Sequence, residues 1–204
     1  MDKHLDVSLT ELYRIFYLLN EKYYTNKLPH PVITIQPTKK NIAGWCSRDK
    51  IWKHTNNDED QRYEINICAH YLGAPAQDLV EVMQHEMVHL FNLVNNTNDC
   101  KHNKRFKTQA EKADLICEKS KQYGWGYTSI NEKLKQFIEE VIKPNQDAFK
   151  YVRKQETKIT PVRIKKIFKY TCPQCGLEAK AKEETKITCT TCSKQLEMEP
   201  KEEQ

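Results

Sequence analysis

His85-Glu86-Met87-Val88-His89 sets two imidazoles four residues apart with a carboxylate between them. On a helix, residues four apart share a face, their Cβ atoms about 5–6 Å apart. Both rings can then reach one Zn²⁺ at about 2.0–2.1 Å. Glu86 points beside such a metal, where it can take a proton from a zinc-activated water and hand it to a leaving amine. The chemistry implied is peptide-bond hydrolysis with Glu86 as general base. A catalytic zinc takes three protein ligands and keeps one position open. His102, thirteen residues after His89 across a polar loop, is the expected third. Asp99, Cys100 and Glu111 are rivals, although thiolate charge from Cys100 would quench the metal's electrophilicity. His4, His30, His54 and His70 are expected to be surface or packing residues.

A second constellation lies near the C-terminus. Cys172, Cys175, Cys189 and Cys192 form C-x₂-C-x₁₃-C-x₂-C. Each pair makes a turn with both sulfurs on one side, and two turns complete a closed tetrahedral S₄ site, structural rather than catalytic. Gly176 follows the first pair, and Ser193 stands where a glycine would follow the second. So short a module buries little core, and zinc is expected to supply most of its folding energy. A redox dithiol does not account for two pairs. Just upstream, Phe168 and Tyr170 sit among Arg163, Lys165, Lys166 and Lys169. Aromatic and basic residues so interleaved suit single-stranded nucleic acid, with Lys165, Lys166 and Lys169 on phosphates and Tyr170 stacking on a base. The alternative is that the aromatics pack the module against the rest of the protein.

These residues need elements to hold them. Ser8 and Glu11 form a capping-box pattern, followed by Leu12, Phe16 and Leu19 at helical spacing. Residues 32–35 and 42–46 read as strands. Tyr63, Ile65 and Ile67 alternate with polar residues, as expected of a third strand with one buried face, and 55–61 reads as a turn or open loop. Gly73-Ala74-Pro75 opens a helix to about residue 94, with Leu79, Met83, Met87, Leu90 and Val94 as its apolar stripe. A third helix is expected over 102–121. A fourth starts at a second capping box, Ser129 with Glu132, and ends near Pro144.

The chain has 204 residues and a net charge of +5, and the charge is unevenly placed. Residues 1–145 are nearly neutral, whereas 150–169 hold eight basic residues and one acidic, Glu156, a stripe that would attract an acidic polymer. No run approaches the roughly 18 apolar residues of a membrane span. The first residues lack the apolar core of a secretory signal, and paired cysteines suggest metal rather than disulfides. An intracellular protein, cytoplasmic or nuclear, is expected.

Several pieces resemble, in order, the SprT-like metalloproteases, the group that includes the Spartan proteases acting on DNA–protein crosslinks. They are Leu12-Tyr13 with Phe16, Leu19-Asn20, Tyr23-Tyr24, Leu28-Pro29 with Pro31, Ala43-Gly44-Trp45-Cys46, Ile65-Asn66-Ile67, Gln84 through His89, and His102-Asn103-Lys104-Arg105-Phe106-Lys107. The four-cysteine module fits as well. The resemblance implies zinc on His85, His89 and His102, catalysis by Glu86, and a peptide substrate on or near DNA. Asn103 departs from the glycine usual after the third histidine. Asparagine is the residue after glycine that best tolerates positive φ, so the same turn stays open to it.

The reading is an α+β protein: a zincin-like metalloprotease domain at 8–149 with a small three-stranded sheet, a basic linker at 150–169, and a Cys₄ zinc ribbon at 170–198. Two zinc ions, one catalytic and one structural, a protein substrate and DNA are the expected cofactors and partners. Two other classes fit less of the pattern: a nucleic-acid-binding ribbon protein whose zincin domain does not cleave, and a zinc hydrolase of non-protein amides.

Overall fold

The computed structural model describes residues 4–38, 42–97, 99–154, 167–182 and 185–198. Two compact units divide the chain, Met1–Gln155 and Glu156–Gln204. Mixed helices and small sheets make up the first, and a cysteine cluster marks the second. Among the described residues no helix is long and apolar enough to cross a membrane.

The first unit opens with α1, His4–Tyr24, whose Leu12, Ile15, Phe16 and Leu19 are fully buried at helical spacing. Ser8 does not cap this helix, which already runs at His4. The returning chain buries Ser8 and Glu11 and gives them distant partners instead. Ser8 Oγ donates to Ala148 O at 2.5 Å, while Glu11 accepts from Arg14 and from the Asn145 N–H.

Strands β1 (Val32–Gln36), β2 (Gly44–Cys46), β3 (Trp52–His54), β4 (Asn57–Arg62) and β5 (Glu64–Cys68) follow. The first sheet has the order β1-β5-β2, β5 pairing parallel with β1 and antiparallel with β2. Every residue of β5 is buried, so the alternation read as one buried face is covered on both. Residues 55–61, expected as a loop, lie mostly in the β3–β4 hairpin, whose exposed polar strands carry no apolar alternation.

α2, Ala76–Asn92, is the central helix. Pro75 is its N-cap residue, and the Ala76 N–H finds the side chain of Gln146 at 2.6 Å. Leu79, Val80, Met83, Met87 and Leu90 enter the core. Val94 leaves that stripe, because the chain continues as a π-helical stretch, Leu93–Thr97, and Val94 is exposed.

The third helix is shorter than its pattern suggested. α3 spans Lys104–Lys112, Asp114 turns left-handed at φ 60°, and residues 115–121 enter a hairpin of β6 (Leu115–Ser120) and β7 (Gly124–Ile130). Ser129 lies in β7 and caps nothing. Asn131 caps α4 (Glu132–Phe137) by accepting from the Leu134 N–H. Beyond it a π-helical stretch ends at Ile142, with Lys143 left-handed before Pro144.

Residues 151–154, expected within a basic linker, belong to the first unit. Arg153 pairs with Ala69 and His70, and Val152 covers Gly73. Residues 155–166 lie outside the described ones.

The described part of the second unit opens, before the expected residue 170, with β8 at Ile167–Thr171, followed by β9 (Glu178–Lys182) and β10 (Glu197–Met198) in the order β10-β8-β9. Phe168, Tyr170, Cys172, Cys189 and Leu196 form its core.

Candidate metal centres

α2 carries His85 and His89 on one face, and the loop before α3 brings His102 to them. His85 Nε2 and His102 Nε2 are 2.9 Å apart, and His89 Nε2 and His102 Nε2 are 3.0 Å apart. An imidazole nitrogen has a single in-plane site, a proton or a lone pair. His102 Nε2 therefore cannot bond both neighbours at once. Burial lowers His85 far below the ordinary histidine range, with His89 and His102 adding to the effect. It also holds His89 down to about 3, the proximity of His102 contributing and Asp99 opposing, and lowers His102. Three neutral rings thus direct nitrogens at one point. A cation satisfies that arrangement, and three imidazoles are a donor set compatible with zinc.

Two glycines make room for His102. A Cβ at Gly126 would lie 2.7 Å from His102 Nδ1, and one at Gly124, already at φ +59°, would lie 2.4 Å from His102 O. The Trp125 N–H also donates to His102 O at 2.9 Å. Phe106 packs against all three rings. On the far side of His85, Nδ1 lies 3.1 Å from Thr128 Oγ1, which donates to Glu81 Oε1 at 3.0 Å. No one of Gly124, Gly126, Thr128 and Glu81 was singled out from the sequence. The Gly124-Trp125-Gly126 triplet was the available signal, since two glycines so close argue against a continuing helix.

Glu86 is almost fully buried under β2. Burial pushes its carboxyl up to about 8, against the opposing pull of the Cys46 N–H. A positive charge on the histidines would favour its carboxylate form. Gly44 lets β2 approach, since a Cβ there would be 3.3 Å from Glu86 Cγ and 2.8 Å from Val82 Cγ1. Ala43 O and the Ser47 N–H bond to β5, so alternation directs the backbone groups of Gly44 and Cys46 away from it. His85, Glu86, His89 and His102 line a cavity of about 690 Å³ bordered by Gly44 and Tyr127.

The rival ligands stand apart from the three nitrogens. Asp99 accepts from the Lys101 N–H and the Asn103 side chain, and Glu111 pairs with Lys107. Cys100 lines the cavity without joining the histidine cluster. Asn103 has φ −95° and does not use the positive-φ turn open to it. Its side chain caps α3 by accepting from the Arg105 and Phe106 N–H groups, which a glycine could not do. His30, His54 and His70 lie outside the cluster, among other partners.

Cys172, Cys175, Cys189 and Cys192 bring four sulfurs within 4.8 Å of one another. The two turns match. Gly176 N–H donates to Cys172 O and Ser193 N–H to Cys189 O, with Gly176 at φ 71° and Ser193 at φ 54°. The N–H groups of Cys192 and Thr191 pull the Cys189 thiol down to about 7. This donor set too is compatible with zinc.

Of the residues expected to touch nucleic acid, Lys165 and Lys166 lie outside the described ones. Lys169 pairs with Glu178 at 2.6 Å. Tyr170 is not available for stacking: it is 4% exposed, its hydroxyl donates to Lys182 O, and the Thr185 N–H donates to that hydroxyl. The small core claims the ring because the module has few other apolar residues to bury.

Residues 12–123, more than half of the chain, match the family model described as SprT-like family. No curated protein and no solved structure matches the chain.

Proposed function

Because this chain belongs to the SprT-like family, we propose that it is a zinc-dependent endopeptidase with a zincin-like catalytic domain, acting on proteins bound or crosslinked to DNA. The observation that carries the peptidase reading is the convergence of three histidine nitrogens beside a buried Glu86 in one cavity. His85, His89 and His102 would hold the ion. Zinc, when bound, polarises a scissile carbonyl and lowers the pKa of a water to about 7. Glu86 takes the proton of the attacking water and delivers it to the departing nitrogen. The Cys46 N–H orients the carboxylate for that transfer. The outward backbone groups of Gly44 offer an extended peptide main-chain hydrogen bonds along the β2 edge, and this favours polypeptide over a small amide. Four cysteines would hold a second, structural zinc.

The DNA half of the proposal is supported by charge. The stretch 150–169 is strongly basic, and Lys180 and Lys182 are exposed on β9. With Tyr170 buried, contact with DNA is through phosphates rather than through stacking on that ring. The test is cleavage of a protein crosslinked to single-stranded DNA, compared with the same protein free, by the wild type and by Glu86→Gln. Wild type should cleave the crosslinked protein faster and Glu86→Gln neither. A zinc-loaded wild type that cleaves nothing overturns the peptidase reading and leaves a binding protein. Equal cleavage of both substrates overturns only the DNA half.

A further inference from the structure

We propose that Thr128 and Glu81 are a positioning pair that fixes the tautomer and aim of His85, so that the β6–β7 hairpin clasps two of the three histidines. The inference rests on the reading of the histidines as a metal centre.

Thr128 has one hydroxyl proton, and its Oγ1 donates that proton to Glu81 Oε1 at 3.0 Å. The same oxygen then meets His85 Nδ1, 3.1 Å away, with a lone pair. With Glu81 ionised, Nδ1 carries the ring proton, and Nε2 turns its lone pair toward the point it shares with His102. Ligating histidines generally depend on such a partner for their orientation and basicity. Glu81 lies one helical turn before His85 on α2, so the relay leaves the helix, crosses β7 and returns to the helix. Thr128 is itself held in register opposite Cys117 of β6.

Hairpin and third histidine are linked as well. Gly126 and Trp125 hold the ring and carbonyl of His102 two and three residues before Thr128. His89 has no comparable support: its Nδ1 is buried without a hydrogen-bond partner among the described residues. Gly126 and Thr128 both lie beyond the segment that matches the family.

The experiment uses the full chain with ¹⁵N-labelled histidine. Nitrogen shifts read the His85 tautomer in the metal-free protein. A competition titration, with the cysteine site already loaded, reads zinc affinity at the histidines. Wild-type His85 should be the Nδ1–H tautomer. Thr128→Val keeps the side-chain shape and removes the hydroxyl; it should mix the tautomers of His85 and weaken zinc about 10–100-fold. Thr128→Ser should restore both, and Glu81→Gln, which keeps an acceptor without its charge, should fall between.

A wild-type His85 in the Nε2–H form overturns the proposal, as does a folded Thr128→Val with wild-type zinc affinity. Should Thr128→Val fail to fold, the wild-type tautomer and Glu81→Gln still decide. Wild-type histidines that take no zinc sink the metal-centre reading and this inference with it. Zinc binding that is indifferent to Thr128 sinks this inference alone.

Discussion

In the C-terminal unit, Cys172 and Cys189 belong to the core, beside Phe168, Tyr170 and Leu196. In the N-terminal unit, three histidines pack on Phe106 of a core that extends from Leu12 through Phe149, and they line a cavity beside it. The cysteines are built into the core of their unit; the histidines line a cavity beside theirs. The contrast teaches how one kind of metal chemistry can be tied to folding in one region and nearly independent of it in another. A module with little apolar area needs its ligand bonds to offset chain entropy, whereas a domain with a full core can present ligands already aimed.

The largest expected effect separates the two regions outright. Stripping metal with a chelator should unfold the cysteine unit, since structural zinc contributes about 10–16 kcal/mol in small modules. Amide signals from 167–198 should collapse to unfolded positions while those of α1 and α2 stay dispersed. Persistent dispersion in that unit would break the comparison. Next in size, Glu86→Gln should lower peptide cleavage by about 10²–10⁴-fold. Metal analysis should still give about two zinc ions per chain, one for each closed or open site. Loss of zinc in that variant would make Glu86 a ligand and not a base.

Two glycine replacements sharpen the distinction between aiming and folding. Gly126→Ala puts a Cβ against the His102 ring and should weaken zinc at the histidines by about 10–100-fold. Gly44→Ala instead meets Val82 Cγ1 at 2.8 Å and the backbone oxygen of Asn66 at 2.9 Å. That crowding should cost about 1–3 kcal/mol in denaturant titrations. Equal effects of both on metal and on stability would argue against a site resting on an independent core.

The smallest effect is in the pH dependence of the metal-free N-terminal unit. Burial lowers the pKa of His85, His89 and His102, so below about 6.5 the unfolded chain binds protons that the fold refuses, and stability falls as pH falls. Glu86 is raised from 4.5 to about 8, so the fold keeps a proton that the unfolded chain releases, and stability falls as pH rises through that window. In melts followed on the α1–α2 region, Glu86→Gln should flatten the decline between pH 6 and 8 (approximate limits set by these groups). Below pH 4.5, where Glu86 is protonated in both states, the profile should be unchanged. An identical alkaline decline in wild type and variant would show that Glu86 is not the group responsible.

The sequence by itself determined what depends on near neighbours: the helix that puts His85 and His89 on one face, the two cysteine turns, and the strand character of residues 32–35 and 64–68. These follow from i,i+4 spacing, C-x-x-C turns and β-branched runs, and each forms within a few residues. Tertiary structure alone decided the rest. Ser8 and Glu11 have the pattern of a cap, yet Ser8 bonds a carbonyl 140 residues away. Residues 115–121 continue a helical spacing on paper, yet pair as a strand because β7 and α3 cover that side. Tyr170 has the neighbours of a stacking residue, yet fills a core short of apolar groups. His85 finds Thr128 43 residues on, across a hairpin whose glycines also admit His102. A hydrogen bond or a steric vacancy between distant residues leaves no period in the sequence, because the chain between them is free to have any length and composition that lets it return.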